Sequence, residues 1–333
     1  MPSRYRLRLI PVALAFWGCA GPFPQSTLHP RSDFARAIDQ LFTGIFWWAL
    51  GVFVIVETIL LISVIRFRHR EGKPAPKPTH GHTVMEIAWT LAPAVILVFI
   101  AVPTVRTIFA TARDAPADAL KVEVIGHQWW WEYRYPDLGI VTANEMRLPV
   151  GKPVQVSITS ADVIHSFWVP ALGGKRDATP GRISRIAFRA DSVGDYSGQC
   201  AEFCGESHAN MRFRVLVESD SGFAAWVQRE RGGPAPQAKG SLAEQGRQLF
   251  ARSACIACHV VEGVSKGVLG PSLTHVGGRT TIAAGLFPND SAHFARWIAD
   301  APSLKPGARM ARMAPPLTEA DVAALVAYLR SLQ

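Results

Sequence analysis

The chain has 333 residues, enough for two ordinary domains, and a formal net charge of +9. The charge is not laid out as a nucleic-acid patch. Arg4, Arg6 and Arg8 precede one apolar run, and Arg66, Arg68, Arg70, Lys73 and Lys77 follow another. That is how charge flanks membrane spans, and no nucleic-acid motif is present. The 5 cysteines form two tight pairs and one N-terminal singleton. This is no disulfide framework, and tight pairs point to a metal or prosthetic group.

In chain order, residues 1–19 have a basic start, a short apolar run and a small residue before Cys19, which reads as a secretory signal. The Gly18-Cys19 junction suggests the lipoprotein type, with Cys19 as the lipidation candidate; an ordinary signal or an uncleaved anchor is the alternative. Residues 20–116 then carry a two-helix transmembrane hairpin, with apolar runs at about 44–65 and 87–109. Pro93 and Pro103 fall inside the second run and are tolerable there. The basic loop between the runs places that loop in the cytoplasm and both long flanks outside. In a bacterium this puts the protein in the inner membrane with its C-terminal part in the periplasm. Glu86, at the cytoplasmic start of the second span, reads as an interfacial residue or, more sharply, as a candidate for proton uptake.

From residue 117 to 219 the pattern alternates. The stretches 121–126, 154–159, 183–189 and 212–217 each alternate apolar with polar residues and are separated by Gly, Pro and Asp. They predict an antiparallel all-β sandwich or barrel. The aromatic run Trp129, Trp130, Trp131, Tyr133 and Tyr135 reads by default as packing. Between the last two strands lies QCAEFCGESHANM, residues 199–211, with Cys200, Glu202, Cys204, His208 and Met211; His165 lies upstream. Thiolate, imidazole and thioether suit copper. A mononuclear blue site needs a single cysteine, whereas two thiolates can bridge two metals. Zinc is the competitor, but it has no need of a methionine.

Residues 220–240 read as a linker rich in Gly, Pro and Ala towards its end. The last unit, 241–333, is small and helical. Ser241 and Glu244 are spaced as a capping box. Cys255-Ile-Ala-Cys258-His259 is a C-x-x-C-H signature, which attaches haem c through both thiols with His259 as axial ligand. The C-terminal helix has Val322, Leu325, Val326 and Leu329 on one face, expected to pack on the helix holding Gly246 and Phe250.

Residues 20–219 resemble the dinuclear copper (CuA) domain and membrane hairpin of cytochrome c oxidase subunit II, on CAEFCGESHANM, DVIHSFWVPALGGKRDATPGR and GHQWWWEYRYP. Residues 241–333 resemble a class I cytochrome c. Together they resemble subunit II of a caa3-type haem-copper oxidase with a fused cytochrome c. The first resemblance implies a cupredoxin-like barrel in which Cys200 and Cys204 bridge two coppers and His165 and His208 bind one each. It makes Met211 the weak ligand of one copper and the Glu202 carbonyl that of the other. It also implies a magnesium ion on the Glu202 side chain at the contact with subunit I, and makes Trp129 the surface residue through which electrons come in. The second implies that the Pro271 carbonyl steadies the axial histidine and that Met310 is the sixth haem ligand, with Met313 as the alternative; His275 and His293 are expected at the surface.

The function implied is electron transfer from a cytochrome c donor, through this chain's haem c and copper, to subunit I. There oxygen is reduced and protons are translocated, so the chain holds no catalytic residue of its own. The implied partners are subunit I, subunit III, membrane lipid, and a soluble or membrane cytochrome c or an upstream quinol–cytochrome c reductase. A copper subunit of a nitric oxide reductase is the second reading. A copper-delivery protein is the third, and the haem signature argues against it.

Overall fold

The computed structural model describes residues 23–69, 71–72, 78, 80–234, 236–310 and 316–333. The signal segment with Cys19, the basic residues Arg70, Lys73 and Lys77, and Met313 lie outside the described residues.

The two apolar runs sit within longer helices, α1 (Asp33–Arg66) and α2 (Thr83–Thr111). Both have the length and hydropathy to cross a membrane, and both show apolar side chains outward. Pro93 and Pro103 lie inside α2. The first turn of α1 lies outside the apolar run because it docks on the following domain. Ser32 caps the helix by accepting from the Ala35 amide at 2.9 Å and donates to the Leu172 carbonyl at 2.5 Å. Asp33 accepts from the Arg189 amide at 2.8 Å, Arg36 pairs with Asp191, and Phe34 joins the barrel core.

The β domain has ten strands: β1 (Leu120–His127), β2 (Trp130–Tyr135), β3 (Ile140–Ala143), β4 (Glu145–Pro149), β5 (Pro153–Ser160), β6 (His165–Trp168), β7 (Arg176–Ala178), β8 (Ser184–Arg189), β9 (Gly194–Cys200) and β10 (Arg212–Glu218). They form two five-stranded sheets, ordered β3-β2-β1-β5-β8 and β4-β10-β9-β6-β7. The four alternating stretches fall on β1, β5, β8 and β10, except that Ile183 lies just before β8. The expectation of a purely antiparallel sandwich needs correction, since β1 pairs with β5 and β4 with β10 in parallel. Alternation fixes which face is buried and does not choose the partner strand. The aromatic run splits by the same alternation: Trp131, Tyr133 and Tyr135 point into the core, whereas Trp130 stacks on His127 with ring centroids 4.1 Å apart. Trp131, Phe167 and Phe213 pack edge to face and stacked at the centre.

The segment expected as linker opens instead with α3 (Asp220–Arg231). Its Trp226 is buried, with its ring 5.1 Å from that of Tyr135, so the connecting stretch shortens to 232–240. The last unit holds α4 (Leu242–Arg252), the one-turn α5 (Cys255–Cys258), α6 (Ser291–Ala299), α7 (Ala301–Leu304) and α8 (Glu319–Ser331). Helix α4 crosses α8 at Gly246, where a Cβ would stand 1.9 Å from the Ala324 carbonyl oxygen. Phe250, Leu325, Val326, Tyr328 and Leu329 share the core there. Only half of the expected capping box forms. Ser241 accepts from the Glu244 amide at 3.1 Å, but the Glu244 carboxylate turns to Arg247 at 2.8 Å, a stronger charge-assisted partner. The reciprocal box lies at Thr318 and Asp321, at the start of α8.

Candidate metal centre

The centre is assembled at one end of the barrel. Strand β6 begins with His165 and β9 ends with Cys200; the two strands are neighbours, with Phe167 opposite Cys200. The chain then folds over the barrel end through Glu202 and Cys204, makes a short turn at His208–Asn210, and returns into β10 after Met211. His165, Cys200, Cys204 and Met211 are all buried and His208 is half-buried.

The donor atoms converge. The two sulfurs are 3.8 Å apart. Cys200 Sγ lies 4.0 Å from His165 Nδ1 and 3.2 Å from the Glu202 carbonyl oxygen. Cys204 Sγ lies 3.6 Å from His208 Nδ1 and 3.9 Å from Met211 Sδ. Each thiol thus has its own imidazole and its own weak donor, and the pair is shared. The Glu202 side chain is exposed.

Surrounding groups aim these ligands. Asp162 Oδ1 lies 2.8 Å from His165 Nε2, which leaves Nδ1 facing Cys200. Burial works against the Asp162 carboxylate, but hydrogen bonds from His165, the Gln128 amide and the Val163 amide hold its pKa below the usual range. Burial likewise opposes a charged His165, yet Cys200 and Asp162 raise its pKa. The hydrogen bond from Cys204, aided by His165, holds the Cys200 pKa well below the usual thiol range, and the same contact with Cys200, together with burial, pushes that of Cys204 up. Gly126 leaves the space the imidazole occupies; a Cβ there would stand 2.7 Å from the His165 ring.

Trp129 is half-buried beside the loop, with Nε1 donating to the Cys204 carbonyl at 2.9 Å; Gln128 Nε2 donates to the same oxygen at 2.9 Å. In the last unit, His259 Nδ1 is held at 2.8 Å from the Pro271 carbonyl, the contact expected from the resemblance. Burial lowers the His259 pKa, favouring the neutral imidazole. Cys255 and Cys258 are free and half-buried. Met310 is half-buried after α7. His275 is corrected from surface to core: it is buried, with Nδ1 3.1 Å from the Gln333 carbonyl. Glu86 accepts from the His82 amide at 3.1 Å and so caps the start of α2. Asp162, Gln128, Glu145 and Lys305 were not singled out by sequence reasoning. Asp162 left a signal as an acid three residues before His165, and Lys305 stands in the Lys-Pro-Gly pattern that points to Met310.

Three family models match in chain order: the transmembrane domain of cytochrome c oxidase subunit II over 27–107, its periplasmic domain over 139–219, and cytochrome c over 243–333. Cytochrome c oxidase subunit 2 of Alkalihalophilus pseudofirmus is 37% identical over 98% of this chain and 97% of its own length. The chain belongs to the cytochrome c oxidase subunit II family. The Bacillus subtilis subunit 2 is 34% identical over 98% of the chain and 96% of its own length. Quinol oxidase subunit 2 of Bacillus spizizenii is 33% identical over 67% of this chain and 71% of its own length. The crystallised periplasmic domain of subunit II from Bradyrhizobium japonicum is 39% identical, covering 35% of this chain and 96% of that one, with a TM-score of 0.34. The subunit is a two-pass membrane protein with a periplasmic copper domain and a fused cytochrome c domain that carries haem c. It is part of an oxidoreductase complex whose catalytic site is in subunit I, with cytochrome c as donor.

Proposed function

We propose that the copper centre is dinuclear and that the chain carries electrons from a cytochrome c donor through its own haem c and this centre to subunit I. The observation that carries the dinuclear reading is the paired donor set. Two sulfurs 3.8 Å apart each have a separate imidazole within 4.0 Å. A mononuclear site would leave one thiol and one imidazole redundant. Copper held by Cys200, Cys204, His165 and His208 would supply a one-electron couple. The chain's own part is to fix the ligands and keep them dry: Asp162 aims His165, and Gln128 and Trp129 hold the Cys204 carbonyl.

On this reading Met211 is the thioether ligand and the Glu202 carbonyl its counterpart, while the Glu202 carboxylate takes magnesium at the contact with subunit I. In the last unit Cys255 and Cys258 hold haem c, which supplies a second one-electron couple. His259 and Met310 would hold its iron. The surroundings fit an anionic prosthetic group. Arg279 is a guanidinium whose pKa burial lowers, and its Nε has no partner among the described residues. Haem carboxylates would supply the missing acceptor. Subunit III, the bacterial inner membrane and proton uptake at Glu86 complete the proposed setting. The test is metal and haem content of the purified full chain. Two coppers and one iron per chain, with mixed-valence copper and c-type haem absorption, support the reading. One copper per chain overturns the dinuclear centre.

A further inference from the structure

The haem-bearing unit touches the copper domain at Gln128 and Trp129, beside the centre, and also at Glu145, which has no part in holding either cofactor. Glu145, the first residue of β4, is 2% exposed, and its carboxylate faces across the boundary. Its Oε1 accepts from the Thr280 amide at 2.8 Å, the Thr281 amide at 2.7 Å, and the two threonine hydroxyls at 2.7 and 2.9 Å. A carboxylate leaves water at high cost unless its lone pairs are met. Here Oε1 is met by the backbone and side-chain donors of Thr280 and Thr281, while Oε2 takes the Thr280 amide at 3.1 Å and lies 4.0 Å from Arg147 of its own strand, so the contact with the other unit accepts a single register.

A second buried ionisable group, Lys305, also crosses the boundary. Lys305 is 4% exposed, and its Nζ donates to the Trp129 carbonyl at 2.6 Å. Pro306 accepts from Ser207, and Arg309 donates to Gln128 Oε1 at 3.1 Å. Gly307, at φ +75°, lies against the Trp129 ring so closely that a Cβ would stand 2.7 Å from it. The loop that leads to Met310 therefore covers Trp129.

We propose that the haem-bearing unit is seated on the copper domain in one register, with Glu145 as the positioning residue that sets it. The connecting stretch 232–240 then only joins the units. This rests on the electron route proposed above for its purpose, but not for its geometry. A merely tethered unit would find the copper domain at an effective concentration that falls as the tether lengthens. A seated unit is indifferent to tether length.

Two readouts on the full chain test this. The first is amide hydrogen exchange, which needs no electron transfer. The Thr280 and Thr281 amides should be protected, and Glu145→Ala should expose them while amides in the α4–α8 core stay protected. If Glu145→Ala disturbs the barrel, Glu145→Gln combined with Thr281→Val weakens the same contact more gently. The second is the haem-to-copper transfer rate after flash reduction, with a Gly-Ser insertion after Gly233 that doubles the connecting stretch. The rate should be unchanged in the wild type and should fall several-fold in Glu145→Ala carrying the insertion. Thr281 protection that survives Glu145→Ala, or a wild-type rate that falls with tether length, overturns the seat. Correct exchange behaviour with no transfer at any tether length would uphold the seat and sink the electron route.

Discussion

The indole nitrogen of Trp129 donates to the carbonyl oxygen of Cys204 at 2.9 Å, so the residue under the loop that leads to Met310 is hydrogen-bonded to the backbone of a cysteine of the candidate centre. The same residue offers its own carbonyl to Lys305 at 2.6 Å. Trp129 thus spans the boundary between the two units through its ring on one side and its backbone on the other. Trp129→Gln should slow haem-to-copper transfer at least tenfold, about 1.4 kcal/mol of activation free energy, with both optical spectra unchanged. A wild-type rate in a folded variant would leave packing as its only role.

Asp162 touches no metal ligand atom and acts through the far nitrogen of His165. Asp162→Asn keeps the shape and loses the charge. It should lower copper affinity by about 10–100-fold while preserving the spectrum of the loaded centre. Copper loss to a chelator, followed over time, measures this.

Lys305 has a pKa that burial lowers to about 7. A lysine depressed from its unfolded value near 10.5 costs most where it must be charged inside the fold. Its penalty is therefore full below about pH 7 and is relieved as pH rises towards 10.5. Wild-type stability should rise across that window, and Lys305→Met should flatten the rise. Denaturant unfolding of both chains at pH 6 and about pH 9 gives the comparison.

Gly246 sits where α4 meets α8, with no space for a methyl group. Gly246→Ala should destabilise the haem-bearing unit by about 1–3 kcal/mol through overpacking. Calorimetry should show its transition falling while that of the barrel stays in place.

Met310→Ala should shift the haem spectrum and lower its potential, because a thioether favours reduced iron. Met313→Ala should do little. The reverse pattern would move the ligand to Met313.

Much of the centre was legible because its donors are chemically unusual and close in sequence. Cys200, Cys204, His208 and Met211 lie in one loop, and only His165 had to be brought from elsewhere. The hairpin was legible from hydropathy, although the first turn of α1 was not. Ser32, Asp33 and Arg36 are polar and gain their meaning from Leu172, Arg189 and Asp191, which lie far away in sequence. Helix α3 was hidden for a similar reason: its single buried anchor, Trp226, needs Tyr135 to pack against. The burial of Glu145 and Lys305 was invisible because an isolated charged residue reads as solvated. Nothing local shows that another domain covers it.

The most direct test of the central claim is the electron paramagnetic resonance spectrum of the oxidised full chain beside that of Cys200→Ser. The wild type should show one electron shared by two equivalent copper nuclei, together with low-spin haem. Cys200→Ser should lose the shared-copper pattern and keep the haem signal and both haem thioether bonds. A wild-type pattern from a single copper nucleus, or a shared pattern that survives Cys200→Ser, would contradict the account.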